Sequence, residues 1–218
     1  PKGALFHMGV SNTRRCWNMF QLPESVESAC NVGCCGIDGC VSTLVGASLV
    51  NPDRLCYVVV GDLTFFYDLN SLGNHHIGTN LRVMLVNNGR GTEFRLGIHH
   101  CNVFGDDADK YMAAAGHFGN KSPLLVKHYA EDLGFHYLSA TTKEEFMTAL
   151  SNFTNPQLSD HSMILEVFTD SKDESEALYL MSHIQSDAKG MVRSKLKDAV
   201  RNVAGEKGIN AIKKILKK

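Results

Sequence analysis

The chain has 218 residues, enough for one domain with a substantial core. Its composition, 44% hydrophobic and 21% charged, excludes a disordered or fibrous chain, and no apolar run approaches the ~20 residues that span a bilayer. Seven cysteines, an odd number in a chain too large to need disulfides, favour a reducing cytoplasm, and no secretory signal is visible. Because Pro1 stands directly before an apolar run, with no initiator Met, we expect a fragment of a longer protein.

Six apolar runs with the length and composition of strands alternate with helix-like stretches. The predicted strands are 4–8, 28–32, 57–60, 81–86, 136–139 and 163–168. The predicted helices are 39–50, 65–73, 110–115, 124–133 and 143–153, the last with a cap at 141–142 and early acidic residues. This alternation predicts an α/β fold, a three-layer parallel sheet of about six strands with helices on both faces.

The net charge of −1 is unevenly distributed along the chain. Residues 188–218 carry ten Lys or Arg against two acidic residues, a net +8, which leaves −9 on residues 1–187. Apolar residues at helical spacing predict a basic amphipathic helical tail at 188–218, following a domain at 1–187. We expect the tail to dock on the acidic body or its dimer mate. Contact with an anionic membrane surface is the alternative, and no nucleic acid partner is expected.

Polar residues follow two neighbouring strands of the predicted sheet, at the point where each strand ends. Gly61-Asp62-Leu63 comes after the third strand, and Asn87-Asn88 comes after the fourth. Asp and Asn are common in turns after strands in any case. However, open parallel sheets bind ligands at this edge, and carboxylate and amide oxygens suit Mg²⁺ better than a soft metal. The sequence therefore predicts that Asp62 and Asn88 hold a divalent cation with a diphosphate.

These motifs resemble the signature of the thiamine-diphosphate enzymes, in which Gly-Asp is followed after about two dozen residues by Asn-Asn. The usual third residue is Gly, where this chain has Leu63. Within this superfamily the chain is most similar to the menaquinone-pathway carboxylate synthases, over about residues 4–170. Four segments carry the resemblance, in the family's order: Gly9-Val10-Ser11 with Arg15, Gly36-Ile37-Asp38-Gly39 with Ser42-Thr43, Gly61-Asp62-Leu63 with Tyr67-Asp68-Leu69-Asn70, and Asn87-Asn88 with Phe94.

The resemblance implies thiamine diphosphate and Mg²⁺ (or Mn²⁺) as cofactors and assigns residues to them. The implied metal ligands are Asp62, Asn88 and the backbone carbonyl of Arg90. The implied cofactor-binding residues are Ser11, Cys35, Ile37, Gly61, Asp62, Leu63, Asn88 and Arg90. Two residues are implied in catalysis, Ile37 as the apolar prop that bends the cofactor and Arg15 as the partner of a substrate carboxylate. An ordinary core isoleucine and a solvated arginine pair remain the alternatives for these two.

The resemblance also implies the reaction, a 2-oxo acid decarboxylation followed by acyl transfer (carboligation), with 2-oxoglutarate as the donor. In the family, an activating Glu comes from a separate pyrimidine-binding domain, and the site forms between subunits of a homodimer or tetramer. We therefore expect this chain alone to be inactive. A plain 2-oxo acid decarboxylase of another pathway and an inert cofactor-binding or assembly module remain the alternatives.

Two positions depart from the family in the region that would bind the acceptor. Val32 stands where the family has a substrate-binding Arg, and Glu93 stands where an apolar residue lines the pocket. Losing a cation and gaining an anion should weaken affinity for a dicarboxylic acceptor such as isochorismate.

No Cys-x-x-Cys pair with zinc-site spacing occurs. The irregular stretch 90–119, which contains three His, is predicted to form a loop over the cofactor edge.

Overall fold

A computed structural model of the chain describes residues 1–96, 99–112, 117–119 and 121–184. The predicted basic tail at 188–218 lies outside these residues, as does part of the predicted helix at 110–115. None of the helices in the described ranges combines the length and apolar character needed to cross a membrane. All seven cysteines lie in the described ranges, and each is a free thiol.

Six parallel strands form one sheet, which confirms the predicted fold class. The strands are β1 (Leu5–Met8), β2 (Glu27–Cys30), β3 (Cys56–Gly61), β4 (Leu81–Asn87), β5 (His136–Ala140) and β6 (Met163–Phe168). Their order across the sheet is β2-β1-β3-β4-β6-β5, and every neighbouring pair is parallel. In the β3–β4 register Gly61 pairs with Val86, so the residues that follow the two strands emerge at the same edge.

Helices connect the strands and cover both faces of the sheet. They are α1 (Asn12–Trp17), α2 (Cys40–Leu49), α3 (Asp62–Tyr67), α4 (Ala108–Tyr111), α5 (Leu125–Asp132), α6 (Lys143–Phe153) and α7 (Ser171–His183), with 3-10 helices at Leu69–Gly73, Thr92–Arg95 and His100–Asp107. The predicted start of α6 is confirmed, because Thr142 and Glu145 form a reciprocal capping box. The structure adds α1 and α7, which the sequence pattern did not predict.

Alternate residues of the central strands build two apolar clusters, one on each face of the sheet. Val58 and Val60 of β3 pack in one cluster with Leu44 of α2, and Tyr57 and Val59 pack in the other. The whole of β3 is apolar because it is covered on both faces, as expected of a central parallel strand. This buried strand fixes the position of Asp62, the residue that follows it.

The predicted single helix at 65–73 is wrong in detail. Helix α3 already begins at Asp62, and the chain then changes to the 3-10 helix Leu69–Gly73. At the break, the Asp68 carboxylate accepts a 2.7 Å hydrogen bond from the Ser42 backbone N–H in the first turn of α2. The break therefore supplies an acceptor to the amino end of α2, whose N-cap residue, Gly39, has no side chain to provide one.

A buried polar cluster links β4, β5 and β6. Glu166 is 1% exposed and accepts hydrogen bonds from Asn87 Nδ2 at 2.8 Å and Tyr137 Oη at 2.7 Å. Burial raises the pKa of Glu166, and the two hydrogen bonds offset part of that rise. The carboxylate thus depends on its two donors for compensation of its lost hydration.

Replacing Tyr137 with phenylalanine should destabilise the fold by about 1–3 kcal/mol, because Glu166 then loses a donor in a buried site. The folded-state pKa of Glu166 would rise further, so the folded state would hold its proton to higher pH. Stability is then lost as the pH rises through that pKa, and the gap from wild type should widen from acidic to neutral pH. Urea unfolding at several pH values tests this, with Tyr179→Phe on α7 as the control. An equal loss at every pH would contradict the role given to Glu166.

Candidate functional site

The strand order reverses between β1 and β3, since β1 leads to β2 on one side and β3 leads to β4 on the other. Such a switch point opens a crevice at the carboxyl ends of the strands. A cavity of about 400 Å³ lies there, and its walls include Ser11 after β1, Asp62 after β3 and Asn88 after β4. The structure therefore brings together Asp62 and Asn88, which the strand pattern had placed at this edge, and Ser11, which the resemblance had implied.

Close approach of β1 to β3 shapes the first wall of the cavity. A Cβ on Gly9 would lie 3.0 Å from the Val59 carbonyl oxygen, so a larger residue would push the strands apart. Ser11 then adopts a positive φ of 71°, which is strained for a residue with a side chain. Strain of this kind is typical of ligand sites, and here it directs the Ser11 hydroxyl towards Glu93.

Asp62 is buried and surrounded by backbone donors. Its Oδ1 accepts from the Leu63 N–H at 2.7 Å, and its Oδ2 accepts from the Asn88 N–H at 3.1 Å and the Gly89 N–H at 2.6 Å. With 2% of the residue exposed, this carboxylate ties the end of β3 to the turn after β4. Asp62 therefore has a structural role in addition to any ligand that it binds.

His117 is a further neighbour of Asp62. Its Nε2 lies 3.0 Å from Asp62 Oδ2, and this buried nitrogen makes no hydrogen bond with any of the described residues. Its Nδ1 accepts from the Gly119 N–H at 2.8 Å, which places the proton of a neutral ring on Nε2. The ring also packs against Phe66, with centroids 5.3 Å apart. One His of the predicted loop thus reaches the edge of the sheet at which Asp62 and Asn88 lie.

The Asn88 side chain is held by three groups. Its Nδ2 donates to Thr92 Oγ1 at 2.7 Å and to Glu174 Oε2 at 2.9 Å, and its Oδ1 accepts from the Arg90 N–H at 3.0 Å. An amide oxygen has two lone pairs, so Oδ1 keeps one for a further partner.

Arg15 and Ser11 both bind Glu93. Arg15 Nη2 lies 2.6 Å from Glu93 Oε1, and Ser11 donates to Glu93 Oε2. Burial acts to raise the pKa of Glu93, but the hydrogen bonds from Ser11 and Arg15 and the nearby cationic charge outweigh it and lower the pKa. Glu93 is therefore a carboxylate of the cavity wall that neutralises Arg15, which is not itself one of the lining residues.

The other residues named from the sequence are placed unequally. Gly61, Ile37, Leu63 and Arg90 line the cavity, and Ile37 also packs against the apolar core, so its position is compatible with both alternatives given for it from the sequence. Cys35 is exposed, is not part of the cavity wall, and has a positive φ of 54°.

The side chain of Arg90 does not point to a free anion site. Its Nη1 lies 3.7 Å from Asp109 Oδ2, and the other carboxylate oxygen of Asp109, Oδ1, pairs with Arg95 Nη2 at 2.6 Å. Val32 is 46% exposed and is not part of the cavity wall. The position at which this chain lacks the family's Arg is therefore not part of the wall of the described cavity, whereas Glu93 is part of it.

The donor set at the strand ends fits a hard divalent cation. Asp62 supplies a carboxylate, Asn88 supplies an amide oxygen with a remaining lone pair, and the Arg90 carbonyl belongs to the same turn. Among the described residues no group of three or more His, Cys, Asp or Glu could hold a metal. The fit therefore depends on one carboxylate combined with amide and carbonyl oxygens, as Mg²⁺ bound together with a phosphate allows.

Sequence reasoning missed Glu174 and Thr92, the two acceptors of the Asn88 amide. Glu174 lies in the first turn of α7, whose N-cap Asp170 accepts from the backbone N–H groups of Lys172 and Asp173. An Asp followed by acidic residues directly after a strand is a helix-start signal. That signal was available at 170–174 and would have placed a further carboxylate at the same edge of the sheet as Asn88.

Known proteins resemble this chain over most of its length, although no protein-family model matches it. Proteins named 2-succinyl-5-enolpyruvyl-6-hydroxy-3-cyclohexene-1-carboxylate synthase are 34% identical over 178 residues in Bacteroides fragilis, 34% over 181 in Phocaeicola vulgatus and 35% over 178 in Christiangramia forsetii. Each comparison covers 82% of this chain and 29–30% of the relative. The chain thus spans about 30% of the length of these relatives.

This similarity agrees with the resemblance expected from the motifs at Asp62 and Asn88 and with the parallel α/β fold. Over the segment compared, the chain belongs to the family of the 2-succinyl-5-enolpyruvyl-6-hydroxy-3-cyclohexene-1-carboxylate synthases, which are thiamine-diphosphate-dependent enzymes.

Proposed function

We propose that this chain is the diphosphate- and metal-binding domain, C-terminal in the complete enzyme, of a thiamine-diphosphate-dependent carboligase that decarboxylates a 2-oxo acid. The proposal rests above all on one observation: Asp62 and Asn88 meet at the ends of adjacent strands, on the wall of a single cavity. The similarity to the synthases supports it, because it covers 82% of the chain.

Each residue of the site has a distinct task in this proposal. Asp62, Asn88 and the Arg90 carbonyl would hold Mg²⁺ or Mn²⁺ with the diphosphate, while Gly61 and Leu63 border it. Ile37 would support the bent cofactor from the apolar side of the cavity. When bound, thiamine diphosphate supplies the electron sink that permits loss of carbon dioxide from a 2-oxo acid. The apolar part of the wall around Ile37 would limit the access of water to the reacting groups.

The activating Glu is proposed to come from a pyrimidine-binding domain elsewhere in the protein or in another subunit. None of the carboxylates on the described cavity wall is free for that role. Asp62 accepts a hydrogen bond from the Asn88 backbone N–H, Glu174 accepts one from the Asn88 side chain, and Glu93 is paired with Arg15. A homodimer or tetramer is therefore part of the proposal, with the isolated chain inactive and 2-oxoglutarate as the donor.

A plain 2-oxo acid decarboxylase is the second candidate, and the pairing of Arg15 with Glu93 favours it. Arg15 Nη2 already has a carboxylate 2.6 Å away, so an incoming acceptor carboxylate would compete with Glu93. A decarboxylase needs no second substrate, only a proton in place of the acceptor. An inert cofactor-binding module is the third candidate, although nothing in the geometry of Asp62 and Asn88 favours it.

The proposed function predicts that the protein expressed from its complete gene binds thiamine diphosphate only with a divalent cation. Calorimetric titration with and without Mg²⁺ measures this, and a chelator in the second titration is the control. We expect saturable one-site binding with Mg²⁺ and none with chelator, because a diphosphate next to Asp62 and Glu174 is repelled unless a cation intervenes. Equal affinity under both conditions would refute the metal assignment, and no binding under either would refute the proposed function.

A further inference from the structure

Two neighbours fix the orientation of the Asn88 side-chain amide, because each can form a hydrogen bond with only one end of it. The Glu174 carboxylate can only accept a hydrogen bond, and the Arg90 backbone N–H can only donate one. Glu174 Oε2 lies 2.9 Å from Asn88 Nδ2, and the Arg90 nitrogen lies 3.0 Å from Asn88 Oδ1. If the amide were rotated by half a turn, Nδ2 would face the Arg90 N–H and Oδ1 would face the Glu174 carboxylate. Two donors and two acceptors would then face each other, and neither hydrogen bond could form. The amide oxygen therefore has to face the turn at 88–90.

Glu174 is itself held in place from two sides. Its Oε1 accepts from the Thr169 hydroxyl, in the short connection between β6 and α7. The Thr169 N–H donates to the Asn87 carbonyl at 3.1 Å, which ties the start of this connection to the end of β4. Asp170 then caps the start of α7, and Glu174 lies four residues later, in the first turn of the helix. The carboxylate thus reaches Asn88 from a helix anchored to the same strand end.

We propose that Glu174 is a positioning residue for the cation site: it holds the Asn88 amide so that Oδ1 is presented as a ligand. This inference rests on the proposed function, in which Asn88 Oδ1 binds the cation. Glu174 does not need to touch the cation, because its contact is with the amide nitrogen on the opposite side of the Asn88 side chain. Thr92 Oγ1, the second acceptor of that nitrogen, assists through a 2.7 Å hydrogen bond.

Positioning through a hydrogen bond makes a prediction that differs from attraction through charge. Glu174→Gln keeps an acceptor for Asn88 Nδ2 and can donate its own amide to Thr169, but it removes the charge. Glu174→Leu removes both the acceptor and the charge. If orientation is what matters, the Gln variant should behave like wild type and only the Leu variant should lose affinity.

The test titrates Mn²⁺ into the full protein in the presence of thiamine diphosphate and follows the free ion by electron paramagnetic resonance. We expect Glu174→Leu to weaken Mn²⁺ binding by about 10- to 100-fold, the usual effect of losing a group that orients a metal ligand. Glu174→Gln should stay within about threefold of wild type. Glu176→Leu, the same change at an exposed position of α7, is the matched control and should leave Mn²⁺ affinity unchanged.

The outcomes separate this inference from the proposed function. Unchanged Mn²⁺ affinity in Glu174→Leu would overturn the positioning role while leaving the proposed function intact. Equal losses in Glu174→Gln and Glu174→Leu would assign the effect to charge and also overturn it. If the wild-type protein binds no Mn²⁺ with the cofactor, the proposed function itself fails. Should Glu174→Leu not fold, as judged by its thermal unfolding, Glu174→Ala removes the acceptor without adding apolar bulk and is held to the same criterion.

Discussion

Replacing Asp62 with alanine should abolish Mg²⁺-dependent binding of thiamine diphosphate and also destabilise the domain by about 1–3 kcal/mol. The destabilisation is expected because Asp62 is buried and accepts hydrogen bonds from the backbone N–H groups of Leu63, Asn88 and Gly89. Alanine would leave these donors without an acceptor.

Two measurements are needed to separate these effects of Asp62→Ala. Calorimetry at a temperature where the variant is fully folded reports cofactor binding, and urea unfolding reports stability. Asp53→Ala, at an exposed turn near the opposite edge of the sheet, is the control and should change neither. Retained Mg²⁺-dependent binding in a folded Asp62→Ala protein would exclude Asp62 as a metal ligand, and unchanged stability would show that the three N–H groups find other acceptors.

Replacing Glu93 with isoleucine should increase affinity for a dicarboxylate such as 2-oxoglutarate by about tenfold. The change removes the carboxylate 2.6 Å from Arg15 Nη2 and leaves the guanidinium without its present counter-ion. Hydrogen bonds to charged groups contribute about 1.5–3 kcal/mol. Because the Arg15 and Glu93 side chains are 34% and 29% exposed, solvent screening reduces the gain, and about 1.4 kcal/mol corresponds to tenfold.

A double variant tests whether Arg15 is the cause of that gain. Adding Arg15→Met to Glu93→Ile should return 2-oxoglutarate affinity to the level of Arg15→Met alone. The same series distinguishes the two enzyme candidates, since a carboligase should gain acceptor turnover when Glu93 is removed and a plain decarboxylase should not. Unchanged dicarboxylate affinity in Glu93→Ile would mean that Arg15 does not face the substrate space.

The sheet could be predicted because its central strands are covered on both faces. Tyr57 to Val60 is continuously apolar, and the polar residues Asp62 and Asn88 stand where such runs end. Parallel strands bring their ends to one edge, so the proximity of Asp62 to Asn88 followed from the pattern alone.

The two missed helices lack the signal that revealed the others. Helix α1 has six residues and no buried side chain, and α7 buries only Leu178 among its described residues, so neither shows apolar periodicity. These are the helices that carry Arg15 and Glu174. The parts of the site on exposed helices were therefore invisible to a search for apolar stripes.

Contacts between distant residues were also beyond sequence reasoning. Glu93 was recognised as an unusual anion, but its partners Arg15 and Ser11 lie 78 and 82 positions away. The sequence predicted a weaker acceptor site from charge alone. The structure adds that Glu93 is paired with Arg15, the residue for which the resemblance implied a substrate carboxylate.

The central claim is that Asp62, Asn88 and the Arg90 carbonyl together hold the divalent cation of a thiamine-diphosphate site. A crystal structure of the complete protein with Mn²⁺ and thiamine diphosphate tests it most directly, through the anomalous scattering of manganese. We predict one anomalous peak in direct contact with Asp62 Oδ1 or Oδ2, Asn88 Oδ1, the Arg90 carbonyl oxygen and the diphosphate. A peak bound elsewhere, or cofactor density with no peak at these residues, would contradict the claim.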